Sequence, residues 1–222
     1  MRLPILLLTA AALGGCGPDH ARPRTPGAGQ EPEAAVPAPG SPQWRSSPTE
    51  GVTLSGGDTL LVETGPHVVL WPEGAAPVAP PYTVRAGMRK LHGRLQEGYG
   101  IVFGGRSLGE PETQQRYSYF LVRGDGSYLI KRRIGAETPQ VRPWTAHTAV
   151  RRDTDEGGRP NELEVRVGER EVAFVVNGAE VARVPAAELD TRGVPGVRAA
   201  HGIQLVVTGF AVVAGSPGGG EQ

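Results

Sequence analysis

Over most of this chain, side-chain polarity alternates with a period of two. In PYTVRAGMRK (81–90), Tyr82, Val84, Ala86 and Met88 fall on one side, and Thr83, Arg85 and Arg89 on the other. NELEVRVG (161–168) sets Leu163, Val165 and Val167 against Glu162, Glu164 and Arg166. Successive side chains of a strand point to opposite faces, so both segments read as half-buried antiparallel strands. Further strands are expected at DTLLVET (58–64), HVVLW (67–71), YGIVFGG (99–105), RYSYFLVR (116–123), SYLIKRR (127–133), REVAFVVN (170–177), EVARV (180–184), GVRAA (196–200) and IQLVVTGFAVV (203–213). Only PAAELD (185–190) carries a helical turn. Many short strands punctuated by turns predict an all-β antiparallel sandwich of the jelly-roll type.

Turn chemistry agrees. Asn177-Gly178 sits between two apolar runs, the strongest short hairpin signal, because both central residues of that turn need positive φ. Asp125-Gly126 in FLVRGDGSYLI reads the same way. The tripeptide Arg123-Gly124-Asp125 therefore marks a strand end and its bend, and the surrounding alternation accounts for it without an adhesive role.

Four segments together resemble the concanavalin A-like (laminin G-like) sandwich domains of bacterial lipoproteins, near the 3-keto-disaccharide hydrolase family. They are EGYGIVFGG, YSYFLVRGDGSYLIKRR, NELEVRVGEREVAFVVNGAEVARV and GVPGVRAAHGIQLVVTGFAV. The likeness spans about residues 50–213. Tyr99, Phe103, Tyr119, Asp125, Gly126, Tyr128, Arg132, Trp144, Asn161, Leu163, Asn177, Gly178, Gly196 and Phe210 fall on the family's scaffold. These are hairpin bends and core aromatics. The resemblance implies the sandwich fold and a carbohydrate-related role, either binding or hydrolysis of 3-keto-disaccharides.

The termini have a different composition. MRLPILLLTAAALGGC begins with a basic Arg2, an apolar run from Leu3 to Leu13, and small residues before Cys16. The run is too short to span about 30 Å of hydrocarbon as a helix, so it reads as a signal peptide (1–15). Leu13-Gly14-Gly15-Cys16 resembles the lipobox of bacterial lipoproteins, which implies a diacylglyceryl group on the chain's only cysteine. Several acyl chains at about 0.8 kcal/mol per buried CH₂ anchor stably. Residues 16–49 are rich in Pro, Gly and Ala and read as a flexible spacer; 214–222 read as a disordered tail. The sandwich domain is expected at 50–213. The expected location is the bacterial cell envelope, lipid-anchored, facing the periplasm or the surface. Gly17 lacks the acidic inner-membrane retention signal, which favours the outer membrane.

Charge and chemistry narrow the functional classes. Lys and Arg total 23 against 23 Asp and Glu, so no global field attracts nucleic acid. Lys90 and Lys131 are the only lysines; arginine carries the remaining positive charge. Gly105-Arg106-Ser107-Leu108-Gly109 has the spacing of a nucleophile elbow, with Asp153, Asp190 and His201 downstream. The EPETQQR segment behind it has no apolar helical face, so it reads as a loop. Glu162 and Glu164 share a strand face roughly 6–7 Å apart, but Arg166 shares it too, and a solvated outer face is expected. DTDEGGRPNELE imitates a calcium loop with Gly157 where an oxygen donor belongs, so it reads as a hairpin loop. His20, His67, His92, His147 and His201 show no ligand spacing. No metal and no cofactor is expected.

Aromatic and arginine side chains remain. Sugars stack their C–H faces on Trp or Tyr and pair their hydroxyls with arginine or amide groups. Tyr117 and Tyr119 share one strand face, and VRPWTAH places Arg142, Trp144 and His147 close together. Each of these aromatics is more often core than platform; if a ligand site lies on the concave sheet, these five residues are where it is expected, and no catalytic residue is assigned. The expected function is non-catalytic binding of carbohydrate or an envelope polymer. The alternatives are a glycoside hydrolase of 3-keto-disaccharides and a protein-interaction module of an envelope assembly.

Overall fold

The computed structural model describes residues 43–155 and 157–215. The expected signal peptide, Cys16, the spacer up to residue 42 and the tail from residue 216 lie outside them. The described residues form two seven-stranded antiparallel sheets, numbered here in chain order. Edge to edge, the first sheet runs β1 (Trp44–Ser47), β4 (Val68–Pro72), β13 (Val194–Ala199), β6 (Tyr99–Arg106), β7 (Arg116–Arg123), β8 (Ser127–Ile134) and β9 (Gln140–Ala146). The second runs β12 (Ala179–Pro185), β11 (Glu171–Val176), β10 (Asn161–Val167), β5 (Tyr82–His92), β14 (Gln204–Ala214), β3 (Thr59–Thr64) and β2 (Val52–Gly56). A short 3₁₀ turn, Ala186–Glu188, is the only helical element among the described residues, and it falls where PAAELD announced it.

The expected apolar stripes meet between the sheets. Tyr82, Val84, Ala86, Met88, Leu163, Val165 and Val167 from the second sheet pack with Leu70, Ile101, Phe103, Phe120 and Ile130 from the first. Phe174 on β11 reaches across, its ring centroid 5.1 Å from Phe120 and 6.0 Å from Phe103. Each such side chain withdrawn from water stabilises the fold by about 1.5–3 kcal/mol. The outward neighbours on the second sheet meet solvent: Glu162 is exposed, and Glu164 pairs with Arg166.

Three strands lack the alternation that identified the others, and all are at or next to sheet margins. β1 and β9 are the edges of the first sheet and β2 is an edge of the second. An edge strand needs only one hydrogen-bonding partner, and β9 tolerates Pro143, which has no N–H, for that reason. β1 moves the start of the sandwich from the expected residue 50 back to Trp44, whose ring packs edge-on against Phe210 at 5.0 Å.

The two hairpins differ. Val176 pairs with Ala179, leaving Asn177 and Gly178 as a two-residue turn with φ 49° and 83°, as expected. At the β7–β8 hairpin, Arg123 pairs with Ser127, so the loop is Gly124-Asp125-Gly126. This corrects the two-residue turn read from Asp125-Gly126. Positive φ is needed only at Gly126 (85°), the pattern of a three-residue loop. Asp125 accepts the Ser127 N–H at 3.0 Å and holds the Arg123 guanidinium at 2.7 Å. A Cβ on Gly124 would lie 2.1 Å from the Asp153 carboxylate. The Arg-Gly-Asp tripeptide is thus consumed by the hairpin and its packing.

Two polar knots hold the ends. Buried Asp190 accepts Arg106 at 2.7 Å and Arg132 at 3.2 Å, with Arg116 at 3.7 Å, and its own N–H donates to Ser118 Oγ at 2.7 Å. Asn161 Oδ1 accepts from Arg151 N at 2.9 Å and from Asn177 Nδ2 at 2.8 Å, while Asn177 Nδ2 also donates to Ala149 O at 2.7 Å. These bonds pin the 147–160 loop to the turn after β11. Replacing Asn161 with alanine leaves buried donors without partners and should lower unfolding stability by about 1–3 kcal/mol in urea titrations. An unchanged midpoint would contradict that role.

Candidate functional site

The strands β6, β7 and β8 are buried on both faces. Along β7 the pleat turns Ser118, Phe120 and Val122 inward, and Tyr117, Tyr119 and Leu121 outward. The outward set joins Val69, Val102, Leu108 and Leu129 in a second apolar cluster on the far side of the first sheet, with Trp71, Trp144 and Val194 against it. Tyr117 and Tyr119 are 0% and 3% exposed, their ring centroids 5.6 Å apart. They are therefore packed residues, the commoner role for such a pair, and not open stacking platforms. Long cationic side chains cover them.

Register explains the cover. Tyr117 lies opposite Arg133 and Tyr119 opposite Lys131 on β8. Arg133 Nε donates to the Tyr117 phenol oxygen at 3.1 Å, and Arg198 Nη1 donates to the same oxygen at 2.7 Å. Arg198 comes from β13, on the far side of β6, where Gly100 and small Val102 leave a path. Gly100 admits no substitute, since a Cβ there would sit 2.0 Å from Phe120 O. The Arg198 guanidinium carbon lies 5.0 Å from the Tyr119 ring centroid and 6.0 Å from that of Tyr117; Arg133 lies 5.9 Å from Tyr117. Such contacts are worth about 0.5–2 kcal/mol each.

One carboxylate faces these cations. Glu112 pairs with Arg133 at 3.2 Å and takes a short hydrogen bond from His67 Nε2. His67 Nδ1 lies 3.2 Å from His201 Nε2, and His201 Nδ1 lies 3.8 Å from Glu97. Burial, reinforced by Arg198, holds the His67 pKa below its ordinary value, so the ring is neutral at pH 7. A neutral His67 that donates from Nε2 must accept at Nδ1, which makes His201 the donor there. Burial alone would raise Glu112; the His67 hydrogen bond and the charges of Arg133 and Arg198 outweigh it and hold the carboxyl low.

Two cations are left over. Arg133 is buried and spent on Tyr117, Glu112 and the Gly135 carbonyl at 3.1 Å. Arg198 makes only its bond to Tyr117, and no carboxylate among the described residues lies within 4.0 Å of it. Lys131, half-buried beside Tyr119, makes no hydrogen bond and no ion pair among the described residues. Burial lowers its pKa, and Arg198 and Arg133 lower it further. Unspent N–H donors thus lie over the buried tyrosines, a surface able to hold ligand oxygens.

The structure divides the five expected site residues. Trp144 joins the same face, half-buried at its far end, with Arg123 4.3 Å above its ring and Gly98 against its edge. Arg142 turns back on its own strand, donating to Val141 O at 2.8 Å. His147 leaves the face: its Nδ1 accepts from Ala149 N at 3.1 Å and its ring sits edge-on to the core residue Tyr128 at 6.4 Å. There it lines a separate cleft of about 490 Å³ with Arg151, Arg152 and Arg159. Sequence reasoning missed Lys131, Arg133 and Arg198; the alternation of Lys131-Arg132-Arg133 was the signal that two of them face outward while Arg132 turns in to Asp190.

The other chemical candidates are occupied. Ser107 has φ 54°, yet a turn follows it, and its nominal partners are elsewhere: Asp153 on Lys90 at 3.0 Å, Asp190 on its arginines, His201 on His67. In the calcium-like loop, the buried Lys90 ammonium takes the charge of Asp153. Removing the Arg198 charge should raise the His67 pKa. A histidine NMR titration of Arg198→Ala showing His67 unmoved or lower would contradict the electrostatic map of this face.

No protein-family description matches the chain, and no curated protein matches it in sequence. Solved structures do. A carbohydrate-binding module of the CBM66 type from Bacillus subtilis superposes with TM-score 0.60 at 7% identity, over 79% of this chain and 98% of that one. A Bacillus subtilis protein of unknown function with a galectin-like fold gives 0.55 at 15% identity, over 77% and 88%. The carbohydrate recognition domain of Emp47p gives 0.54 at 11%, over 82% and 91%. At these identities the likeness shows a shared fold alone: the described residues have a concanavalin A-like sandwich fold, as do that carbohydrate-binding module and that galectin-like protein.

Proposed function

We propose that this protein binds carbohydrate or a related envelope polymer on the outer face of its first sheet, without transforming it, while tethered by lipid at Cys16. The observation that carries the reading is the pair of cations over buried Tyr119: Lys131 has no partner among the described residues, and the Arg198 side chain donates only to the Tyr117 phenol. A donor already held in place, as Arg198 is by Tyr117 and Tyr119, suits hydroxyl-rich ligands, since little side-chain entropy is lost on binding. Similarity to a carbohydrate-binding module and to a carbohydrate recognition domain supports the reading. Hydrolysis needs an acid and a base facing a common space. Here Glu164 is paired with Arg166 on the opposite sheet, and Glu112 is tied to Arg133 and His67. Binding therefore accounts for the geometry better than hydrolysis of a 3-keto-disaccharide.

Export and anchoring rest on the basic-apolar-small pattern ending at the single cysteine. Two outcomes are expected. The purified chain should bind at least one polymer in a panel of polysaccharides, oligosaccharides and peptidoglycan, and a uniformly negative panel would overturn the binding reading. In a bacterial host, the wild-type chain should fractionate with membranes and Cys16→Ser should not; equal partitioning of both would overturn the tether.

A further inference from the structure

We infer that the sugar held on this face carries a negative charge, a carboxylate or a sulfate ester, received between Lys131 and Arg198 beside Tyr119. The inference rests on the carbohydrate reading above and sharpens it to a ligand class. Lys131, Arg133 and Arg198 converge on one face, against a single carboxylate among the described residues, Glu112, which Arg133 and His67 already engage. Because His67 is neutral, it does not add to the positive charge and leaves Glu112 satisfied. The surplus falls on Lys131 and Arg198.

These are not the freely moving cations of a solvated surface. Arg198 is fixed by its 2.7 Å bond to Tyr117 and by its seat 5.0 Å over the Tyr119 ring. One phenol oxygen holds two guanidinium groups close together, an arrangement that like charges resist. Lys131 is half-buried on the neighbouring strand with all three of its donors unused. Burial lowers its pKa, and the charges of Arg198 and Arg133 lower it further. Neutral hydroxyls accept hydrogen bonds from these donors but leave the repulsion in place. An anionic oxygen pair relieves it and takes charge-assisted bonds from both sides. Some basic side chains elsewhere are matched, Arg123 by Asp125, Arg166 by Glu164, Arg183 by Glu180 and Glu171 and Lys90 by Asp153, and others turn to backbone carbonyls, as Arg142 and Arg151 do. Among the described residues Lys131 has neither.

Calorimetric titration of the full chain with polygalacturonate, dextran sulfate, neutral dextran and polyglutamate, each at low and high salt, tests the inference. The expected result is binding of polygalacturonate, dextran sulfate or both, weakened by salt as screened charge pairs are. Polygalacturonate alone would identify a carboxylate ligand, and dextran sulfate alone a sulfate ester. Lys131→Gln and Arg198→Gln should each weaken that binding about tenfold, the loss of one charge-assisted bond. Arg183→Gln, on the other sheet, should not. Circular dichroism and melting curves confirm that the variants fold; Lys131 makes no internal bond whose loss would unfold the chain. Salt-independent binding of neutral dextran as tight as that of the charged polymers overturns the anionic inference and leaves the carbohydrate reading standing. Polyglutamate bound as tightly as the charged sugars overturns both. No binding to any of these polymers overturns the inference, and the wider panel then decides the reading.

Discussion

The pleat of β7 is the constraint on which the rest depends. A strand in a sandwich can send every second side chain into the core and leave the others to water. Here Phe120 and Val122 go inward to Phe174 and its neighbours, but Tyr117, Tyr119 and Leu121 go outward into a second apolar cluster. A one-residue slip of register would exchange the two sets, placing the phenol groups between the sheets and the phenylalanine outside. The core and the candidate site are therefore two faces of one strand, and the register that builds the first positions the second.

An outward apolar cluster on a solvent-facing sheet needs cover. Arginine and lysine provide it by laying apolar stems over the rings while their charged heads reach water or each other. On the second sheet, the equivalent outward positions carry Arg85, Arg89, Glu162, Glu164 and Arg166, charges of both signs, of which Glu164 and Arg166 form an ion pair. On the first sheet the cover is nearly all cationic. The same side chains that shield Tyr117 and Tyr119 thus create the surplus charge, and structure and binding surface share their residues.

How much of this could be read from the sequence follows from how local each feature is. β5 and β10 announce themselves because Tyr82-to-Met88 and Leu163-to-Val167 alternate within a single segment. Asn177-Gly178 is legible for the same reason. RYSYFLVR reads as a strand, but its two faces are both apolar, so the pattern cannot tell that the tyrosines lie under a guanidinium lid. That lid needs Arg198, 81 positions from Tyr117, and the His67 contacts with Glu112 and His201 span 45 and 134 positions. Arg142, Trp144 and His147 are close in sequence, yet the end of β9 sends His147 toward the core side and leaves Trp144 outside. The edge strands β1, β2 and β9 escaped notice because an edge imposes the weakest demands on its residues.

The claim that matters most is that the outer face of the first sheet, and no other surface, receives the ligand. Backbone and side-chain chemical-shift mapping during titration with a sugar that binds addresses it directly. The account predicts that the largest changes fall on Gly100, Tyr119, Lys131 and Arg198, on the four strands β6, β7, β8 and β13 that lie side by side in the sheet. Changes concentrated around Arg85, Glu164 and Arg166 on the second sheet, or in the cleft beside His147, would contradict it.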